Sequence, residues 1–144
     1  MNLTRLVYYS QRNLSEDLNI QELIETSKHN NQHLNLTGML HFNGDHFIQV
    51  IEGGRLEVSS VYHRIARDPR HSNIILLSFE GVRERMFPTW VMGLHQGMDS
   101  QTRAAFLRYF ATDVVDPESV NVDGLLDVMQ DLMATPPAKL AINI

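Results

Sequence analysis

Apolar and polar positions alternate with a period of two along Phe47-Ile48-Gln49-Val50-Ile51, the signature of a strand. Phe47, Gln49 and Ile51 then share one face, and Ile48 and Val50 the other. An amide therefore stands in a row of apolar neighbours. If that face is covered, Gln49 requires hydrogen-bond partners, because a buried amide without them costs about 1–3 kcal/mol. If the strand lies at an edge, Gln49 simply faces water.

The same reading along the chain yields a succession of elements. Leu3 to Ser10 suits a first strand, with Leu6 and Tyr8 on one face and Val7 and Tyr9 on the other. Asn19 followed by Glu22 predicts a helix cap, and Ile20, Leu23, Ile24 and Ser27 have the spacing of one helical face. The polar cluster His29-Asn30-Asn31-Gln32-His33 predicts that this helix stops near His29. Asn35 to Phe42 reads as a second strand, and Asn43-Gly44 as the hairpin turn joining it to the Phe47 strand. Leu56, Val58, Val61, Tyr62 and Ile65 predict a second helix that ends before Asp68-Pro69. Ile74 to Leu77, within Asn73 to Glu80, read as a strand buried on both faces, and Phe87 to Leu94 as a fifth strand on which Trp90 and Met92 share a face.

This order is a ferredoxin-like βαββαβ(β) arrangement of the α+β class, with two helices on one face of the sheet. The division expected is one unit over residues 1–97 and a C-terminal helical extension and tail over 98–144. In the extension, Ser100 is expected to cap a helix carrying Phe106, Leu107 and Phe110, and Asp116-Pro117-Glu118 to start another. Leu125, Leu126, Val128, Met129, Leu132 and Met133 form a wide apolar stripe, which needs either the free sheet face or a partner chain to cover it. Pro136-Pro137 is expected to end it.

Composition narrows the function classes. The chain has 144 residues, 43% of them hydrophobic and 20% charged, the profile of one ordinary globular domain. A net charge of −5 argues against a general affinity for nucleic acid or anionic membrane. With no cysteine, disulfides, thiolate metal sites and thiol nucleophiles are excluded. No stretch approaches about 18 consecutive apolar residues and the N-terminus lacks an export signal, so a cytoplasmic location is expected.

Familiar catalytic signatures are missing: no nucleophile elbow, phosphate loop, HExxH pair or GxGxxG fingerprint is present. His29 and His33 have the spacing of a helical metal pair, but the expected stop between them removes that geometry. His41 and His46 flank the hairpin turn as an expected surface pair, and Asp68, Arg70 and His71 form a polar cluster after the second helix. A more informative set converges only in three dimensions. The ferredoxin-like order makes the first and third strands neighbours, which brings Tyr8 beside Gln49 beneath two helices. Bordered by Asn30, Asn31, Arg64 and Asp68, the pair would form a slot for a flat ring with polar edges.

Several blocks together resemble a known family. They are Arg5-Leu6-Val7-Tyr8-Tyr9-Ser10, His29-Asn30-Asn31, Leu36-Thr37-Gly38-Met39-Leu40, Phe47 to Gly53, Tyr62-His63-Arg64-Ile65 with Asp68-Pro69-Arg70-His71, and Arg85 to Met92. In order and approximate spacing, across residues 3 to about 94, they are similar to the BLUF domains, bacterial sensors of blue light using flavin adenine dinucleotide (FAD). Val91 departs from the pattern, since many relatives have serine there.

The resemblance implies an FAD cofactor, with Tyr8 as electron and proton donor to the excited flavin and Gln49 as the amide linking Tyr8 to the ring. It implies that Asn31 or Asn30, with Arg64 and Asp68, meet the polar edge of the ring, that His29 and Arg70 stand near the ring or phosphates, and that Ile24 and Ile65 sandwich it. Trp90 and Met92 resemble the output pair that senses a change at Gln49.

The resulting expectation is a photoreceptor, not an enzyme, since the roughly 50 residues after Met92 are too few for an effector enzyme domain. It would signal through a partner protein or self-association, without direct nucleic-acid or membrane contact. Two other classes share the fold: a small flavin-dependent or acylphosphatase-like enzyme, and a cofactor-free interaction module. Against the acylphosphatase reading, no anion-cradling loop with paired Arg and Asn follows the first strand.

Overall fold

In a computed structural model, residues 2–89 and 91–134 are described. The period-two stretches form β1 (Leu3–Arg12), β2 (Thr37–Phe42) and β3 (His46–Gly54), followed by β4 (His71–Val82) and β5 (Gly93–Gln96). The helices are α1 (Ile20–Leu34), α2 (Arg55–Ala66), α3 (Ser100–Tyr109) and α4 (Val122–Ala134). The sheet order is β4-β1-β3-β2-β5, antiparallel except for the parallel pair β2–β5. This is the ferredoxin-like α+β arrangement with one added strand.

Alternation along the strands divides the core into two faces. Leu6, Tyr8 and Ile51 pack against Val58 and Val61 of α2, while Leu40, Phe42, Phe47 and Leu94 pack with Ile24 of α1. On the opposite face, Val7, Tyr9, Met39, Ile48 and Val50 meet Phe106 of α3 and Leu125, Leu126, Val128, Met129 and Leu132 of α4. The C-terminal apolar stripe is thus covered by its own sheet.

The hairpin forms at Asn43-Gly44, where the Asn43 side-chain oxygen accepts from the backbone N–H groups of Asp45 and His46 and Gly44 takes φ 103°. Gly38 permits the closest strand approach in this hairpin. A methyl group there would collide with the backbone carbonyl of Val50 on β3.

Five expectations change. First, α1 begins at the Asn19 cap but runs through Asn30 and Asn31 to Leu34, and the left-handed residue that ends it is Asn35 at φ 55°. Asn is only mildly unfavourable inside a helix, about 0.7 kcal/mol relative to Ala, and Asn31 recovers this by donating to Val91 O at 3.1 Å. Second, β4 is an edge strand paired only with β1, so its apolar run is not buried on both faces, and Leu76 and Phe79 are 47% and 41% exposed. Third, β5 begins at Gly93, so Met92 precedes the strand; Trp90 lies outside the described residues, as do Pro136 and Pro137.

Fourth, α3 is capped by Asp99, whose side chain accepts from Thr102 N at 2.8 Å, while Asp116 organises a turn and Asn121 accepts from Gly124 N at the start of α4. Fifth, His41 and His46 do not face each other. His41 is buried with its Nδ1 2.8 Å from His95 Nδ1, whereas His46 stacks on Tyr9.

Candidate functional site

Register brings the central pair together. Tyr8 on β1 and Gln49 on β3 are directly opposed, and both side chains emerge on the face that α1 and α2 cover. The Tyr8 hydroxyl donates to Gln49 Oε1 at 2.5 Å, and Gln49 Nε2 donates to Met92 Sδ at 3.3 Å. All three side chains are buried, with exposures of 3%, 5% and 1%. Phenol, amide and thioether thus form a continuous chain from β1 through β3 to the segment entering β5. A thioether is a weak acceptor, so the second link is the softer one.

Burial drives the Tyr8 pKa well above its usual value, and the nearby Asp68 carboxylate and Tyr62 phenol add to the effect. The phenol is therefore held in its protonated, donating form. His71 closes the site behind it, its ring edge-on to Tyr8 with centroids 6.0 Å apart. Its Nε2 lies 2.6 Å from the Ile65 carbonyl and its Nδ1 2.7 Å from the Ser10 hydroxyl. A carbonyl can only accept, so Nε2 carries a proton and Nδ1 is left to pair with the Ser10 hydroxyl.

Between α1 and α2 this chain borders a slot with two lobes of about 50 and 120 Å³. Leu23 and Ser27 of α1 form one wall and Ile65 of α2 the other, while Asn30, Asn31, Arg64, Asp68 and Arg70 supply polar edges. Arg70 grips Asp68 through two side-chain nitrogens, at 3.0 Å from Nε and 2.6 Å from a terminal nitrogen, and its backbone N–H adds a third bond at 2.9 Å. These bonds hold the Asp68 carboxyl below its ordinary pKa. Apolar walls with amide, guanidinium and carboxylate edges fit a flat heterocycle with acceptors and donors on its rim, as the flavin ring implied by the resemblance has.

Of the residues singled out in the sequence, Tyr8, Gln49, Asn30, Asn31, Arg64, Ile65, Asp68, Arg70 and Met92 converge here. Ile24 does not reach the slot. The helical phase that turns Leu23 and Ser27 inward sends Ile24 into the packing with Leu40, Met92 and Leu94. His29 is also outside it, exposed on α1 with its ring 5.0 Å from His33. Although α1 keeps those two histidines on one face, no group of three or more potential ligands among the described residues could hold a metal ion. Leu23 and Ser27 were not anticipated as lining residues, and their i, i+4 spacing was the available signal.

Comparison with known proteins agrees with this geometry. The family model described as sensors of blue light using FAD matches residues 3–93, more than half of the chain. The blue light- and temperature-regulated antirepressor BluF of Escherichia coli K12 is 37% identical over 86 residues, covering 59% of this chain and 21% of that protein. The photoactivated adenylate cyclase subunit beta of Euglena gracilis is 35% identical over 94 residues, covering 62% of this chain and 11% of that protein. The chain therefore spans about a fifth or less of the length of these curated relatives.

Among solved structures, BlsA in its photo-activated state superposes with a TM-score of 0.82 at 26% identity, covering 95% of this chain and 99% of that one. BlrB, a BLUF protein in its dark state, gives 0.74 at 30% identity, covering 90% and 96%. Among the described residues, no helix is long and apolar enough to cross a membrane.

Proposed function

Because this chain belongs to the BLUF family, whose cofactor is FAD, we propose that it is a blue-light receptor in which Tyr8, Gln49 and Met92 form the switch. The observation that carries the proposal is the buried chain of hydrogen bonds from the Tyr8 hydroxyl through the Gln49 amide to Met92 Sδ, bordering the ring-shaped slot. When bound, FAD absorbs blue light and becomes a strong oxidant. Tyr8, kept protonated by burial, would give an electron to the excited ring and pass its proton along the existing bond to Gln49, and recombination would return both. After the charge returns to Tyr8, the amide is left rotated or tautomerised, with donor and acceptor sides exchanged.

In the rotated arrangement, Gln49 no longer presents an N–H to Met92 Sδ. A change of one hydrogen bond is worth about 1 kcal/mol, enough to shift a balanced two-state element about fivefold. The element placed to respond is the segment from Val91 into β5. Asn31 holds it at Val91 O, and β5 sits on β2, which brings the far-face helices within reach. Asn30, Asn31, Arg64 and the Asp68–Arg70 pair would hold the polar rim of the ring. The slot is smaller than the roughly 300 Å³ at which small-ligand sites begin, so ring entry parts Leu23 from Ile65.

Output through contact with another protein or a second copy, mediated by residues 98–134, follows from a sensor unit that carries helices on its far face. The relatives, an antirepressor and a photoactivated cyclase, are larger proteins whose names couple a light sensor to another activity. The test is an absorption spectrum of the purified protein before, during and after blue light. A flavin band that moves to longer wavelength and reverts in darkness is expected. A protein that cannot be loaded with FAD, or whose bound flavin gives no reversible shift, rejects the proposal.

A further inference from the structure

A second cavity lies on the other side of the sheet, about 340 Å³ in volume, within the range of small-ligand sites. Its floor is Tyr9 and His46, stacked with centroids 5.2 Å apart at 26°, and α3 contributes Phe106 and Arg103 as one wall. Tyr9 is 7% exposed, yet its hydroxyl makes no hydrogen bond to any described residue. The hydroxyl borders the cavity, where a bound molecule can hydrogen-bond to it.

The charges around the cavity are unequal. Asp45 and Asp113 line it, and Asp116 stands close enough to oppose ionisation of Tyr9, whose pKa is raised first by burial and then by that carboxylate. Among the described residues lining it, Arg103 is the one arginine or lysine, and it is engaged by Asp113 at 3.4 Å. Stacked rings attract cations through their faces, and the acids repel anions, an effect that the net charge of −5 reinforces. An acceptor-rich rim over an aromatic floor suits a planar cation that can also donate to the Tyr9 oxygen.

We propose that this cavity between Tyr9, His46 and α3 is a second ligand site, separate from the flavin slot, that binds a small planar aromatic cation. The ligand stacks on the Tyr9–His46 floor, its cationic end faces Asp45 and Asp113, and one N–H meets the Tyr9 hydroxyl. Because Arg103 and Phe106 belong to α3, the occupied site bears directly on the C-terminal helices.

The test uses the full chain with FAD bound, isotopically labelled for amide NMR, at about pH 8, where ordinary imidazoles are neutral. Benzamidine, benzoate and benzyl alcohol are matched probes of positive, negative and zero charge. Benzamidine is expected to saturate one site, to shift the amides of His46, Arg103 and Val115, and to bind at least about tenfold tighter than the other two. Asp113→Asn should weaken benzamidine by about fivefold or more, and Val115→Trp, which fills the cavity, should abolish its binding while leaving the flavin spectrum intact. Equal binding of benzoate or benzyl alcohol, no saturable binding of benzamidine, or binding indifferent to both substitutions overturns the proposal.

Discussion

Arg5 Nε donates to Glu52 Oε2 at 2.7 Å, across directly opposed positions of β1 and β3, and Glu52 is completely buried. The same carboxylate accepts from the backbone N–H groups of Met86 at 2.9 Å and Phe87 at 2.8 Å. Arg85 continues the clasp by donating to Thr37 Oγ1, Glu52 O and Asn35 O. The chain between β4 and β5 is therefore pinned at its start, five residues before it reaches Met92 and Gln49.

Removing either partner of this pair has unequal consequences. Glu52→Ala strands a largely buried guanidinium and two backbone donors, and breaking a buried pair in this way costs about 3–5 kcal/mol. Arg5→Met leaves Glu52 with its two backbone N–H partners, so a smaller loss of about 1–3 kcal/mol is expected. Urea unfolding of both variants, loaded with FAD, measures the difference; equal losses would show that the backbone donors contribute little.

Met92 gives a kinetic prediction. Its sulfur accepts from Gln49 Nε2 in the arrangement seen here, so Met92→Leu removes about one weak hydrogen bond at nearly constant volume. The resting arrangement then loses stability relative to the rotated one. Dark recovery should slow by up to about fivefold, with the amplitude of the spectral shift retained. Flash spectroscopy of the variant reads this directly, and faster recovery contradicts the assigned direction.

Tyr8→Phe separates binding from switching. The ring packs as before and the slot keeps its polar rim, so FAD is retained, while the donor of both electron and proton is gone. The reversible red shift should be abolished, and Gln49→Ala should abolish it as well. Leaving the Gln49 oxygen without the phenol costs about 1–3 kcal/mol of stability, which thermal unfolding of Tyr8→Phe can resolve. A normal light-induced shift in either variant removes that residue from the switch.

Much of this arrangement was legible because it follows from periodicity. The row Phe47, Gln49, Ile51 and the Asn43-Gly44 turn fixed the central hairpin, and strand order then placed Gln49 beside Tyr8. Elements decided by distant contacts were not legible. The helix α1 passes Asn30 and Asn31 because Asn31 bonds to Val91 O, sixty positions away. Ile74 to Leu77 read as a run buried on both faces, but their strand lies at the edge and leaves Leu76 exposed. No pattern in the sequence singled out Glu52, although Arg5 of β1 and the backbone N–H groups of Met86 and Phe87 converge on its carboxylate.

The Asp68–Arg70 clasp supplies a pH dependence whose sign is fixed. Arg70 hydrogen bonds lower the Asp68 pKa below its ordinary value of 3.8, outweighing the opposing effect of burial. A carboxyl depressed on folding contributes stability that is fully present above its unfolded pKa and is lost as pH falls through the folded one. Below about pH 4, wild-type stability should therefore drop more steeply than that of Asp68→Asn, which has no carboxyl to protonate. Above that range, the variant should be the less stable of the two at every pH up to neutrality. Urea midpoints measured at intervals from about pH 3 to 7 test both statements, and parallel curves for the two proteins would show that Asp68 is not depressed in the folded state.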